Sequence, residues 1–237
     1  MRTLAALALL GVGAIVLVRC SFTGSDRARA LPADRGSPIL YVALGDSTVE
    51  GVAASSPEST YVARLYARLR ELYPMARVEN LGVGGAVSAD VIRSQLWRAV
   101  NLHPELVTVS IGPNDVTGGV SVDAYEKNVD KIFDTLARET SAVVVVNLLP
   151  DLTVTPRIQR SPNRQVIGKQ TEAFNDVLVR QARKHGVLVV DLYSVSRDEV
   201  PRRPELIASD GYHPSDLGYA RWAELMWQVI AERATAR

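Results

Sequence analysis

The chain has 237 residues, 47% of them hydrophobic, which suits one domain with a sizeable core and a short appendage. A net charge of +1 supplies no electrostatic footprint for nucleic acid or an acidic partner, so no nucleic-acid partner is expected. The single cysteine, Cys20, excludes an intrachain disulfide and a cysteine-based zinc site, and His103, His185 and His213 are too far apart for metal-ligand spacing, so no metal is expected.

The N-terminus stands apart from the rest. Arg2 precedes an uncharged, mostly apolar run from Thr3 to Val18, the pattern of an export signal, and short for a spanning helix of about 20 residues. Residues 1–19 are therefore assigned as a signal or anchor segment. Three fates fit it: acylation of Cys20, against which the bulky Arg19 counts; cleavage after Ala30 in the small-x-small segment Ala28-Arg29-Ala30; or retention as an anchor. All three put the rest of the chain outside the cytoplasm, in the cell envelope or beyond, with the membrane contacted only through this segment. Residues 20–37 are polar, with Gly, Pro and mixed charge, and are predicted to be a flexible linker; the folded domain is expected over 38–237.

Within the domain the pattern alternates. Ile39 to Leu44 is a short apolar run, hence a buried strand, and Ser56-Pro57-Glu58 has the composition of a helix start, with that helix stopped by Pro74. A short strand over Arg77 to Asn80 leads through a Gly-rich turn to a helix from Ser88 to Val100. The strand Leu106 to Ile111, the helix Val122 to Arg138 and the β-branched strand Ala142 to Leu148 follow. A long loop from Pro150 to Asn163, a helix to His185, a strand from Val187 to Leu192, a second long loop and a helix from Pro214 to Arg233 complete the chain. Alternating helices and continuous apolar strands predict an α/β fold, a three-layer α/β/α sandwich on a five-stranded parallel sheet. Ligands of such sheets bind at the carboxyl ends of the strands.

Four polar segments fall at that edge. They are Gly45-Asp46-Ser47, Asn80 to Gly85, Gly112-Pro113-Asn114-Asp115, and Asp210-Gly211-Tyr212-His213. Together they hold the parts needed for acyl transfer. A serine hydroxyl needs a base to take its proton, and a histidine serves best when a carboxylate fixes its tautomer. Asp210 and His213, three apart in a tight turn, can meet each other and approach Ser47. Donors for an oxyanion are the N–H groups of Ser47 and Gly85, the latter just before a helix N-terminus, and the amide of Asn114.

The set GDS, a glycine in the second segment, GxND and DxxH resembles the SGNH hydrolases, also called GDSL esterases/lipases, from about Ile39 onward and in that family's order. The resemblance implies the flavodoxin-like SGNH fold and a serine esterase with Ser47 as nucleophile, Asp210 and His213 completing a triad, and Ser47, Gly85 and Asn114 forming an oxyanion hole, with Gly84 as the fallback for Gly85. It implies no cofactor. Thr48 stands where the family name has leucine, a position outside the chemistry. The expected substrate is a small-molecule, carbohydrate or lipid ester, with short-chain or acetyl esters preferred because the loops offer no large lid; the default oligomeric state is the monomer. An extracytoplasmic O-acyltransferase and a non-catalytic binding module on the same fold remain the alternatives.

Each segment alone has a bland reading. GDS is a common polar turn, GPND a good turn sequence, and DGYHP a plain helix start; GVGG fails as a dinucleotide fingerprint because Val87 stands where a third Gly or Ala is needed. His103 reads as a loop residue and His185 as a helix C-terminal cation. Asp46 and Asp115 read as turn-holding side chains. Arg157, Arg160 and Arg164 read as a solvated loop, and Trp97, Trp222 and Trp227 as packing residues on helices.

Overall fold

The computed structural model describes residues 29–235; the signal or anchor segment, Cys20 and the first half of the polar linker lie outside the described residues. Five strands form one sheet: β1 (Leu40–Gly45), β2 (Arg77–Asn80), β3 (Leu106–Ser110), β4 (Val143–Asn147) and β5 (Leu188–Val190). They lie in the order β2-β1-β3-β4-β5. Every pair is parallel, with Tyr41 opposite Leu106, Leu106 opposite Val143, and Val145 opposite Leu188.

Strand side chains alternate between the two faces, and both faces are covered, which is why the strands read as unbroken apolar runs. Val42, Leu44, Val107, Val109, Val144 and Val146 join one core, and Tyr41, Ala43, Val143 and Val145 join the other. The first is closed by α6 (Val122–Glu139) and α8 (Arg164–His185), where Tyr125 and Phe174 stack with ring centroids 4.0 Å apart. The second is closed by α2 (Tyr61–Leu72) and α10 (Asp216–Thr235). Residues 29–36 lie along the domain: Leu31 is buried and its N–H donates to the Arg233 carbonyl at 3.0 Å.

Several local expectations need correction. The Ser56-Pro57-Glu58 signal gives only a single tight turn over Pro57–Ser59; the helix starts at Tyr61, capped by the Thr60 hydroxyl, which accepts from the Ala63 N–H at 3.2 Å. The helix beginning at Ser88 contains a π-helical turn at Val91–Gln95, between α3 (Ser88–Asp90) and α4 (Leu96–Asn101). The last strand stops at Val190, because Asp191 caps a further helix, α9 (Leu192–Glu199), by accepting from the Ser194 N–H at 2.9 Å. Three short helices occupy strand tips or loops, α1 (Ser47–Glu50), α5 (Pro113–Thr117) and α7 (Pro156–Gln159). Among the described residues no helix is long and apolar enough to cross a membrane.

Candidate active site

Ser47 is the first residue of α1, directly beyond the carboxyl end of strand β1, which lies between β2 and β3. Gly45 makes that placement sterically possible. Its φ is +148°, and a Cβ there would sit 1.9 Å from the Ser110 carbonyl oxygen, so β1 can end this close to β3 only with glycine. Asp46 then caps α1, its Oδ1 accepting from the Thr48 N–H and the Thr48 hydroxyl, both at 2.9 Å. From the other side the Gln95 amide brackets Gly45, accepting from its N–H and donating to its carbonyl, both at 2.8 Å. Asn80 ties the second segment to the same tip by donating to the Val49 carbonyl at 2.7 Å.

Ser47 is 9% exposed, and its Oγ lies 3.0 Å from His213 Nε2. His213 Nδ1 lies 2.5 Å from Asp210 Oδ2, whose partner oxygen Oδ1 accepts from the backbone N–H groups of Tyr212 and His213 at 2.9 and 3.0 Å. Partial burial works to raise the Asp210 pKa, but the hydrogen bonds from His213 and these two N–H groups hold it below the usual value. An ionised Asp210 only accepts, so Nδ1 carries the imidazole proton and Nε2 is left to accept from the Ser47 hydroxyl. The loop is braced by Ala208 N–H to the His213 carbonyl at 2.8 Å and Gly211 N–H to the Ala208 carbonyl at 2.9 Å.

Gly85 lies in the turn before α3 with φ +78°, a conformation in which L side chains are strained. The Asn114 amide donates to the Ala86 carbonyl at 3.0 Å, which holds it against the residue after Gly85 and leaves its second N–H for another acceptor. Asp115, fully buried, accepts from the Ser88 N–H at 2.9 Å and the Ser88 hydroxyl at 2.5 Å, joining the third segment to the start of α3. Burial raises the Asp115 pKa against those hydrogen bonds. Neither the Ser47 nor the Gly85 N–H is taken by an acceptor among the described residues.

The fold thus brings the expected residues to one edge: Ser47, His213 and Asp210 in a continuous relay, and Asn114 against the residue after Gly85. Gly84 faces elsewhere; a Cβ on it would lie 2.7 Å from Glu50 Oε2. Asp46 and Asp115 hold their turns by the bonds described. Of the loop arginines, Arg157 packs its guanidinium over the Tyr212 ring at 5.3 Å and so braces the catalytic loop. His185 pairs with Asp130 at 2.6 Å, away from the site. Gln95 is the functional residue that sequence reasoning missed. Its only signal was a polar side chain on a helix, which reads as solvent-facing, whereas Gln95 is buried. Among the described residues no cluster of three His, Cys, Asp or Glu is placed to hold a metal.

An oxygen nucleophile, a base oriented by a carboxylate, and unengaged donors beside them on a parallel α/β sheet define a serine-hydrolase type of site. The sequence from 43 to 221 matches the model of the GDSL-like lipase/acylhydrolase family, and the chain belongs to that family. It is 26% identical over 204 residues to the GDSL-like esterase Rv1075c of Mycobacterium tuberculosis, a match covering 84% of this chain. The chain spans 64% of the length of that curated relative. Among solved structures, it resembles LAE5, an alpha/beta hydrolase enzyme from the metagenome of Lake Arreo, Spain, with 23% identity, TM-score 0.66, and coverage of 84% and 97% of the two chains. It likewise resembles Axe2, an acetylxylan esterase from Geobacillus stearothermophilus, with 22% identity, TM-score 0.66, and coverage of 85% and 99%. At these identities the structural likeness speaks to the fold.

Proposed function

We propose that the chain is a serine esterase that hydrolyses carboxylic esters of short acyl chains, acetyl included, through an acyl-enzyme on Ser47. The relay from Ser47 Oγ to His213 Nε2 at 3.0 Å and from His213 Nδ1 to Asp210 at 2.5 Å carries this reading. In the first step the Ser47 oxygen attacks the ester carbonyl as its proton passes to His213 Nε2, and Asp210 stabilises the imidazolium. Charge builds on the former carbonyl oxygen, where the Ser47 and Gly85 N–H groups and the free N–H of Asn114 act as donors. His213 then returns the proton to the leaving alcohol. Water takes the vacated place and attacks the acyl carbon as its proton passes to His213; His213 then returns that proton to Ser47 Oγ as the acyl C–O bond breaks and the acid leaves. The modest size of the pocket beside Ser47, about 100 Å³, supports short acyl chains, on alcohols that include those of carbohydrate or lipid esters. Arg2 and the uncharged run Thr3–Val18 support action outside the cytoplasm, after export or from an anchor.

Hydrolysis of p-nitrophenyl butanoate by the full chain tests the reading. Turnover is expected in the native protein, and Ser47→Ala should lower kcat by a factor on the order of 10⁴ or more with the fold unchanged by circular dichroism. Equal rates in the two proteins contradict it.

A further inference from the structure

Beneath the catalytic loop lies a cavity of about 100 Å³ whose inner end is formed by Ser47, Asn114 and His213. A single water needs about 10–15 Å³ by this measure, so the space is much larger than a hydration site. Away from Ser47 its walls are apolar. Leu152 and Val154 come from the segment after β4, Val195 from α9, and Trp222 and Leu225 from α10. The pocket is open to solvent, so an apolar group that enters it and displaces water gains from burial against these walls. Two of its charged residues pair with each other: Arg221 Nη2 and Nε donate to Glu199 Oε1 at 2.7 and 3.1 Å. One wall is rigid, since the Trp222 ring stacks on Tyr61 with centroids 5.4 Å apart.

We infer that this cavity is the binding site for the acyl chain of the substrate, sized for about four to eight carbons, so that acetyl fills it poorly. The inference rests on the esterase reading and narrows it. The assignment to the acyl rather than the alcohol side follows from the chemistry. The alcohol must take its proton from His213 Nε2 and leave before water enters, so it needs a path to solvent. The acyl group stays on Ser47 through both steps, and its chain gains from burial throughout. Each methylene buried in the transition state should raise kcat/KM roughly three- to fourfold until the cavity is full.

The full chain is tested on p-nitrophenyl esters of two to twelve carbons, with Val195→Phe to fill the cavity and Leu225→Ala to enlarge it. Native kcat/KM should peak at about four to eight carbons, at least tenfold above acetate. Val195→Phe should lower the hexanoate-to-acetate ratio at least tenfold, and Leu225→Ala should move the peak to longer chains; unfolding cannot produce opposite shifts. The ratio of ethyl hexanoate to ethyl acetate should follow the Val195→Phe change, and the ratio of hexyl acetate to ethyl acetate should not. A native peak at acetate, unchanged ratios in both variants, or a response confined to the alcohol series overturns the assignment while leaving the esterase reading standing. No hydrolysis of any ester by the native chain overturns the esterase reading itself.

Discussion

At the scale of single residues the site includes buried polar groups whose burial carries a cost. Asp46 is the clearest case. It adjoins Ser47 and is buried, with Oδ1 doubly bonded and Oδ2 without a partner among the described residues. Burial pushes its pKa up to about 6, against the pull of the Thr48 hydrogen bonds and of His213. The folded state therefore holds this proton more tightly than the unfolded chain, whose aspartates titrate near 3.9. Its contribution to stability is fully present below about pH 4 and is lost as pH rises toward 6. Urea unfolding of the native chain and of Asp46→Asn at pH 4, 5, 6 and 7 reads this directly. The stability of the variant relative to native should rise across the series by an amount on the order of 2–3 kcal/mol, and a difference independent of pH contradicts the assignment. At this scale the sequence was informative where chemistry restricts residue type. Ser47, Gly85, Asn114, Asp210 and His213 could be proposed because acyl transfer needs groups of those types and their order resembles that of the SGNH hydrolases. Gln95 could not, because nothing in a helix pattern tells a buried amide from an exposed one.

At the scale of elements, the π-helical turn Val91–Gln95 explains how a helical residue comes to brace a strand tip. The extra residue in that turn rotates the side chain at its end relative to a regular helix, and such turns recur at functional sites. Here it delivers the Gln95 amide to Gly45, two residues before the nucleophile. Gln95→Leu leaves the buried Gly45 N–H unpaired, at a cost of about 1–3 kcal/mol, while the Gly45 carbonyl keeps the Val83 N–H at 3.1 Å. Because the strand tip then loosens under Ser47, kcat should fall at least about tenfold while KM stays within about threefold. Steady-state kinetics at a temperature where the variant remains folded provides the check, and native kcat in folded Gln95→Leu would remove the positioning role. Elements with long periodic patterns, such as α6 and α8, were legible to within about two residues at each end. The tip helices α1, α5 and α7 were not, since four or five residues carry less than two turns of period. Helix α9 was hidden because Leu192 continues the apolar run of β5, and only the Asp191 cap marks the change.

At the scale of the whole molecule, the parallel order β2-β1-β3-β4-β5 collects four segments spread over more than 160 residues of sequence at one edge. That convergence was predictable from alternation alone, because parallel strands joined by helices all end on the same side. The depth and lining of the cavity were not, since they arise from loop paths after β4 and β5 that no periodicity encodes. The described N-terminal residues meet the domain at the other end of the sheet: the Arg29 Nη1 donates at 2.9 Å to the carbonyl of Ala142, directly before β4.

The central claim is that His213 activates Ser47 as a nucleophile, and covalent labelling tests it most directly. A fluorophosphonate should add once per chain, with mass spectrometry placing the adduct on Ser47, and His213→Ala should slow the labelling at least about 100-fold. An adduct on another residue, or labelling of Ser47 at the same rate without His213, would contradict the account.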